Sequence, residues 1–277
     1  AWAIGLEAPD NGSLPMGRAG AFVARASDPS ALMHNVAGIV GLSGFQLTLS
    51  ANFQLYSNCI QRAGRYADND SMDLATTGTI FQNSSFAADQ ARYPEQCKSG
   101  PPVTVAPQIL ATWRIHPRFA LGLGVYGPNA TGSRQTFDDT VTLPNGMLAP
   151  SPLRNMIYEK SILMFHVTLA GAWQPTRWLR VGAAIQPSYA AFSTATMANS
   201  SQTSAQSPVS DARNLIETSG WFLAGNLGVQ VLPSRYFSFG AGAHLSTTAV
   251  LSGTASVTAD YYSSMPANRP LSTYNVN

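Results

Sequence analysis

The chain has 277 residues and a formal charge of +2, from 16 Lys and Arg against 14 Asp and Glu. That is too little clustered charge for a phosphate-tracking surface, so no nucleic-acid partner is expected. Only 11% of positions are charged, while Ser, Thr, Asn and Gln fill 78 of the 277, so charged side chains do not cover the surface. No run approaches the roughly 18 apolar residues of a helical membrane span. A mean hydropathy of -0.01 fits the other membrane solution, a closed antiparallel barrel that needs apolar residues only at alternate positions.

Residues 1–43 show no alternation and are rich in Ala and Gly. Period two begins at Gly44: Phe45, Leu47, Leu49, Ala51, Phe53 and Leu55 share one face, with Gln46, Thr48, Ser50, Asn52 and Gln54 on the other. The same logic predicts strands carrying Val103 to Ile115, Phe119 to Val125, Leu163 to Trp173, Leu179 to Ile185, Trp221 to Val229 and Phe237 to Leu245. Seven strands thus pair a large apolar face with a small or polar one. A solvated sandwich face would carry Lys and Glu; this one carries Gly, Ser, Thr, Gln and Asn, as a lumen crowded by a plug would. Parity sends Phe45, Leu47, Leu49, Phe53, Leu163, Phe165, Leu179, Val181, Phe237 and Phe239 to lipid, and Gln46, Thr48, Asn52, Arg180 and Gln186 inward.

Pro117, Pro175 and Pro233 recur at a spacing of 58, each followed by an arginine and then an aromatic residue. Proline suits a tight turn, where no ladder donor is needed, and the aromatic suits an interfacial girdle. Long polar stretches (57–100, 127–156 and 194–218) separate these turns. Short turns on one side and long loops on the other are the asymmetry of an outer-membrane barrel. Cys59 and Cys97 both fall in the first long loop. A loop-closing disulfide formed in an oxidising compartment is the natural reading, with free thiols or a two-cysteine metal site as alternatives; no nearby His completes a zinc set.

The segment Gly12-Ser13-Leu14-Pro15-Met16-Gly17-Arg18-Ala19-Gly20-Ala21-Phe22, followed by Asp28-Pro29-Ser30-Ala31-Leu32-Met33-His34-Asn35-Val36-Ala37-Gly38-Ile39, resembles the hatch of the FadL-like long-chain fatty acid and hydrocarbon transporters. These are proteins of the Gram-negative outer membrane. Asn35-Val36-Ala37-Gly38 stands where the family carries Asn-Pro-Ala-Gly, with valine in place of proline. Leu121-Gly122-Leu123-Gly124-Val125-Tyr126-Gly127-Pro128 and the phrases at Pro175 and Pro233 resemble the family's strands.

The resemblance implies an all-β, transmembrane antiparallel barrel of fourteen strands, of which about seven to eight are present. Residues 1–43 would be a luminal hatch and 44–277 the barrel portion with long extracellular loops, incomplete at the C-terminus. The implied function is capture of hydrophobic small molecules such as long-chain fatty acids at the cell surface, with release sideways into the membrane. Outer-membrane lipid and the ligand are the expected partners, with a partner protein or further barrel strands completing the wall. The alternative is a scaffold in a surface or secretion complex that no longer transports. An enzyme is not expected, because no nucleophile elbow or matched Asp–His–Ser set occurs; neither a cofactor nor a metal is implied.

Arg18, Asp28 and Asn35 are the expected hatch anchors, with Arg18 and Asp28 able to pair in the lumen. Met164, His166 and Phe192, inward by parity, are candidates for the ligand path. His244 shares that parity.

Overall fold

The computed structural model describes residues 12–54, 57–63, 93–99, 104–127, 133–135, 137–142, 148–199, 211–259 and 272–276. The strands are β1 (Phe45–Gln54), β2 (Ser57–Ile60), β3 (Gln96–Ser99), β4 (Thr104–His116), β5 (Phe119–Tyr126), β6 (Ser133–Gln135) and β7 (Thr140–Thr142). They continue with β8 (Leu148–Pro150), β9 (Glu159–Thr176), β10 (Leu179–Asn199), β11 (Asp211–Val231), β12 (Phe239–Ser246), β13 (Ser252–Thr258) and β14 (Ser272–Val276). One antiparallel sheet runs β1-β4-β5-β9-β10-β11-β13-β14, with β6 on β9 and β12 on β11; β2–β3 and β7–β8 are separate ribbons.

All seven predicted strands are present, and β14 is an eighth. β12 and β13 are halves of one crossing. Both pair β11, with Ala224 opposite Ser246 and Ser219 opposite Ser252, a register slip of one residue. Neighbouring strands joined by tight turns form the meander of a barrel wall.

Burial follows the alternation at most of these positions: Phe45, Leu47, Leu49, Phe53, Leu163, Phe237 and Phe239 are exposed and Gln186 is buried. Phe165, Leu179 and Val181 are only half-buried, as are Gln46, Thr48, Asn52 and Arg180. β5 alternates exposed and buried along its whole length. Aromatic residues mark two levels on the outward face. Near the turns lie Trp178, Tyr236 and a stacked Phe119–Trp173 pair; ten or so residues along the strands, Phe165, Tyr189 and Trp221 meet at 5.3–5.7 Å between ring centroids. About ten residues is the length of a tilted membrane-crossing strand, so the two levels read as girdles.

β10 and β11 continue beyond the second girdle, through Ala190–Asn199 and Asp211–Gly220, in unbroken register. The expected loop at 194–218 is therefore shorter than its polarity suggested. Outside the lipid the outward face need not be apolar, so alternation fades while the ladder persists. The described parts of the loops cap this end: Phe137, Leu153, Tyr158, Ala195 and Met197 form a second apolar cluster. Cys59 and Cys97 are disulfide-bonded across one rung of β2–β3. Much of the first long loop, and the acidic run near Asp68, lies outside the described residues.

Candidate functional site

Residues 12–43 form short turns of helix at Ser13–Gly17, Val23–Arg25, Ala31–His34 and Val36–Gly41. Their apolar side chains point into the sheet: Phe22, Leu32, Val36, Ile39, Val40 and Leu42 are buried together with Leu110, Ala120, Tyr126, Ala170 and Ala172 of the wall. Gly44, at φ 62°, makes the left-handed turn that leads from this plug into β1.

The plug lies so close because the wall lacks side chains beneath it. A Cβ at Gly182 would stand 2.6 Å from the Ala37 nitrogen, and one at Gly240 would stand 2.6 Å from Ala24 Cα. At Gly228 it would collide with the Asn35 carboxamide, and at Gly122 with Leu32. The small face noted in the sequence is thus a seat for the plug.

Asn35 fixes the plug in that seat. It is 1% exposed. Its Nδ2 donates to the carbonyls of Val23 (2.9 Å) and of Val229 in β11 (3.0 Å), and its Oδ1 accepts from the Ala37 amide (3.1 Å). One side chain therefore closes a helical turn, ties two hatch segments together and grips the wall. Asn226 Nδ2 adds a bond to the Leu32 carbonyl at 3.2 Å. Asn226 was absent from the candidates, although its inward parity was visible.

Asp28 accepts from the amide (3.0 Å) and hydroxyl of Ser30, shaping the turn before Ala31–His34. Arg18 donates to the Arg25 carbonyl at 2.9 Å and to Ser27, and lies over the Phe22 ring. The expected Arg18–Asp28 pair is not made. Asp28 is bonded within its own turn, whereas Arg18 reaches across to the next and keeps enough exposure to need no counter-ion.

Beyond the plug the inward face carries a polar patch. Gln186 Nε2 donates to the Tyr126 hydroxyl (2.5 Å) and to Thr168 Oγ1 (2.9 Å). His166 Nδ1 meets Ser188 Oγ at 2.5 Å, and its ring lies between those of Tyr126 and Phe222, at 5.5 and 6.4 Å. His166, Met164 and Phe192 share one face on successive rungs, opposite Ser188, Ala190 and Ile162. Of the three only His166 is buried; Met164 and Phe192 are half-buried. His244 sits opposite Asn226 on β12, where every residue is exposed. Parity had exposed the inward position of Gln186, but not its bond to Tyr126.

The wall changes register beside this patch. β5 pairs β9 as far as Tyr126 opposite His166; pairing resumes with β6, at Ser133 opposite Ser161. Seven steps on one strand thus face five on the other, a slip of two residues.

At the far end Arg154 Nε meets Asp211 Oδ2 at 2.5 Å, and Arg213 binds both Glu159 (3.1 Å) and the Tyr158 hydroxyl (2.7 Å). Asp211 Oδ1 is buried with no hydrogen-bond partner. Burial pushes the Asp211 carboxyl above the usual carboxylate range, against the pull of Arg154. Burial likewise raises the Tyr158 phenol, with Arg213 opposing.

An alternating antiparallel wall wrapped on a buried, hydrogen-bonded plug defines a hatch-plugged β-barrel. More specifically, the fold is that of the FadL-like transporters, as the solved structures show. A Pseudomonas aeruginosa FadL homologue matches with a TM-score of 0.66 and 14% identity over 94% of this chain and 57% of its own. The CymD monoaromatic hydrocarbon channel matches at 0.59 and 16% over 99% and 61%. The Pseudomonas putida toluene transporter TodX matches at 0.55 and 15% over 89% and 57%. The chain therefore spans about three-fifths of the length of these structures. No family model matches the sequence, and no curated protein does.

Proposed function

We propose that this chain is the hatch and part of the barrel wall of an outer-membrane transporter for hydrophobic small molecules, long-chain fatty acids among them. A ligand arriving from the loop side reaches the inward patch of Tyr126, His166 and Phe222 beyond the hatch. It leaves through the wall where the pairing on β9 passes from β5 to β6. Arg18, Asp28 and Asn35 hold the hatch, and Met164 and Phe192 line the approach.

The observation that carries this reading is the seat. Strands whose inward positions are emptied to glycine receive a separate segment of the same chain, and a single buried asparagine pins it. The solved structures of similar fold, described as a toluene transporter and a monoaromatic hydrocarbon channel, support the hydrophobic cargo.

Uptake of labelled oleate and of labelled toluene by cells carrying the full-length gene tests it, against deletion of residues 1–43 and against Gly182→Val. Uptake above empty-vector cells, abolished or made indiscriminate by either change at equal surface expression, is the expected result. Uptake no greater than in empty-vector cells, with the folded barrel present, would leave the scaffold.

A further inference from the structure

On the turn side of the hatch, away from the patch of Tyr126 and His166, lies a cavity of about 500 Å³. Four arginines from separate places in the chain border it. Arg25 belongs to the hatch, Arg177 and Arg235 to two of the proline turns, and Arg180 to the inward face of β10; no Asp or Glu takes part in the lining. Leu42, Leu232 and Phe237 supply an apolar flank.

Arg180 is the telling member. Its guanidinium lies over Gly41, where any Cβ would collide with it. Its Nε is buried with no hydrogen-bond partner, and its Nη1 makes only a long contact to Gln230 Oε1 at 3.4 Å. A half-buried guanidinium with a shielded, idle donor and neighbours of its own sign is costly unless an anion completes it. The acidic side chains able to do so are elsewhere: apart from Asp28, bonded to Ser30, the described carboxylates lie towards the loop end.

We infer that this basin is an oxyanion site, taking the ionised head of a single-tailed amphiphile with its first carbons against Leu42, Leu232 and Phe237. Arginine forks match the two oxygens of such a head, and bonds between charged groups outweigh neutral ones. A neutral hydrocarbon gains nothing from them. The inference concerns binding at this face and stands whether or not the barrel transports.

The test is calorimetric titration of the full-length protein, in a non-ionic detergent, with hexanoate and with its neutral counterpart 1-hexanol. Hexanoate should bind at least about tenfold more tightly than the alcohol, the worth of one charge-assisted bond. Arg180→Gln and Gly41→Ala should each remove that preference, whereas Arg118→Gln, in the turn that does not border the cavity, should keep it. Equal affinity for acid and alcohol overturns the inference. So does a hexanoate preference that survives Arg180→Gln, since it would place the anion elsewhere. Circular dichroism and the heat-shifted gel mobility of each variant separate loss of the site from loss of the fold.

Discussion

Asn35 concentrates more of the hatch's attachment than any charged residue near it. Its three hydrogen bonds are all to main-chain groups, so they depend on backbone placement and not on a partner side chain. Asn35→Ala would leave the Val229 carbonyl and the Ala37 amide without their partner at a buried site, at a cost of about 2–3 kcal/mol to hatch docking. Limited proteolysis of the folded barrel should then release hatch fragments that the unaltered protein protects, while the β-sheet signal in circular dichroism stays the same. Equal protection would show that the glycine seat alone suffices. The importance of Asn35 was legible because its motif could be recognised. The misplaced Arg18–Asp28 pair came from assuming that charges in a lumen must seek each other, when Ser30 satisfied Asp28 within its turn and the Arg25 carbonyl and Ser27 took Arg18.

At the scale of elements, the strands were readable where lipid constrains them. Along β5 every second residue must be apolar, and the sequence shows it. The outer halves of β10 and β11 carry no such constraint, so only their ladder reveals them. The short ribbons β2–β3 and β7–β8 left no period long enough to recognise, and the slip between β5 and β6 is a matter of pairing that no single strand encodes.

The outer halves also hold the Arg154–Asp211 contact. Because the folded carboxyl has a raised pKa, the folded state binds the proton more tightly than the unfolded chain. Its contribution to stability is therefore present at low pH and is lost as pH rises from the ordinary carboxylate value through the raised one. The melting temperature of the unaltered protein, relative to Asp211→Asn, should accordingly rise as pH falls from neutrality toward the ordinary carboxylate range. A difference that stayed flat or fell would mean that Arg154 outweighs the burial.

For the whole molecule, the two aromatic levels define how the wall sits in a bilayer. Trp113, Trp173, Trp178 and Trp221 are all exposed on the outward face. In vesicles, lipids brominated near the headgroup should quench most tryptophan emission, and lipids brominated at the chain ends should quench less, since indoles favour the interface. Stronger quenching by the chain-end bromines, or quenching mainly by aqueous acrylamide, would contradict the assigned levels.

β10 and β11 run some ten residues past the upper of those levels. At roughly 3.3 Å per residue and a tilt near 40°, that ribbon stands about 25 Å clear of the lipid boundary. The elevation is rigid, being hydrogen-bonded rung by rung, and its top is clamped by Arg154 and Arg213. Whatever polar coat covers the membrane to that height is met by a stiff ribbon of wall and not by loops. Under the transport reading proposed above, a greasy molecule would first meet protein at that elevation and not at the leaflet.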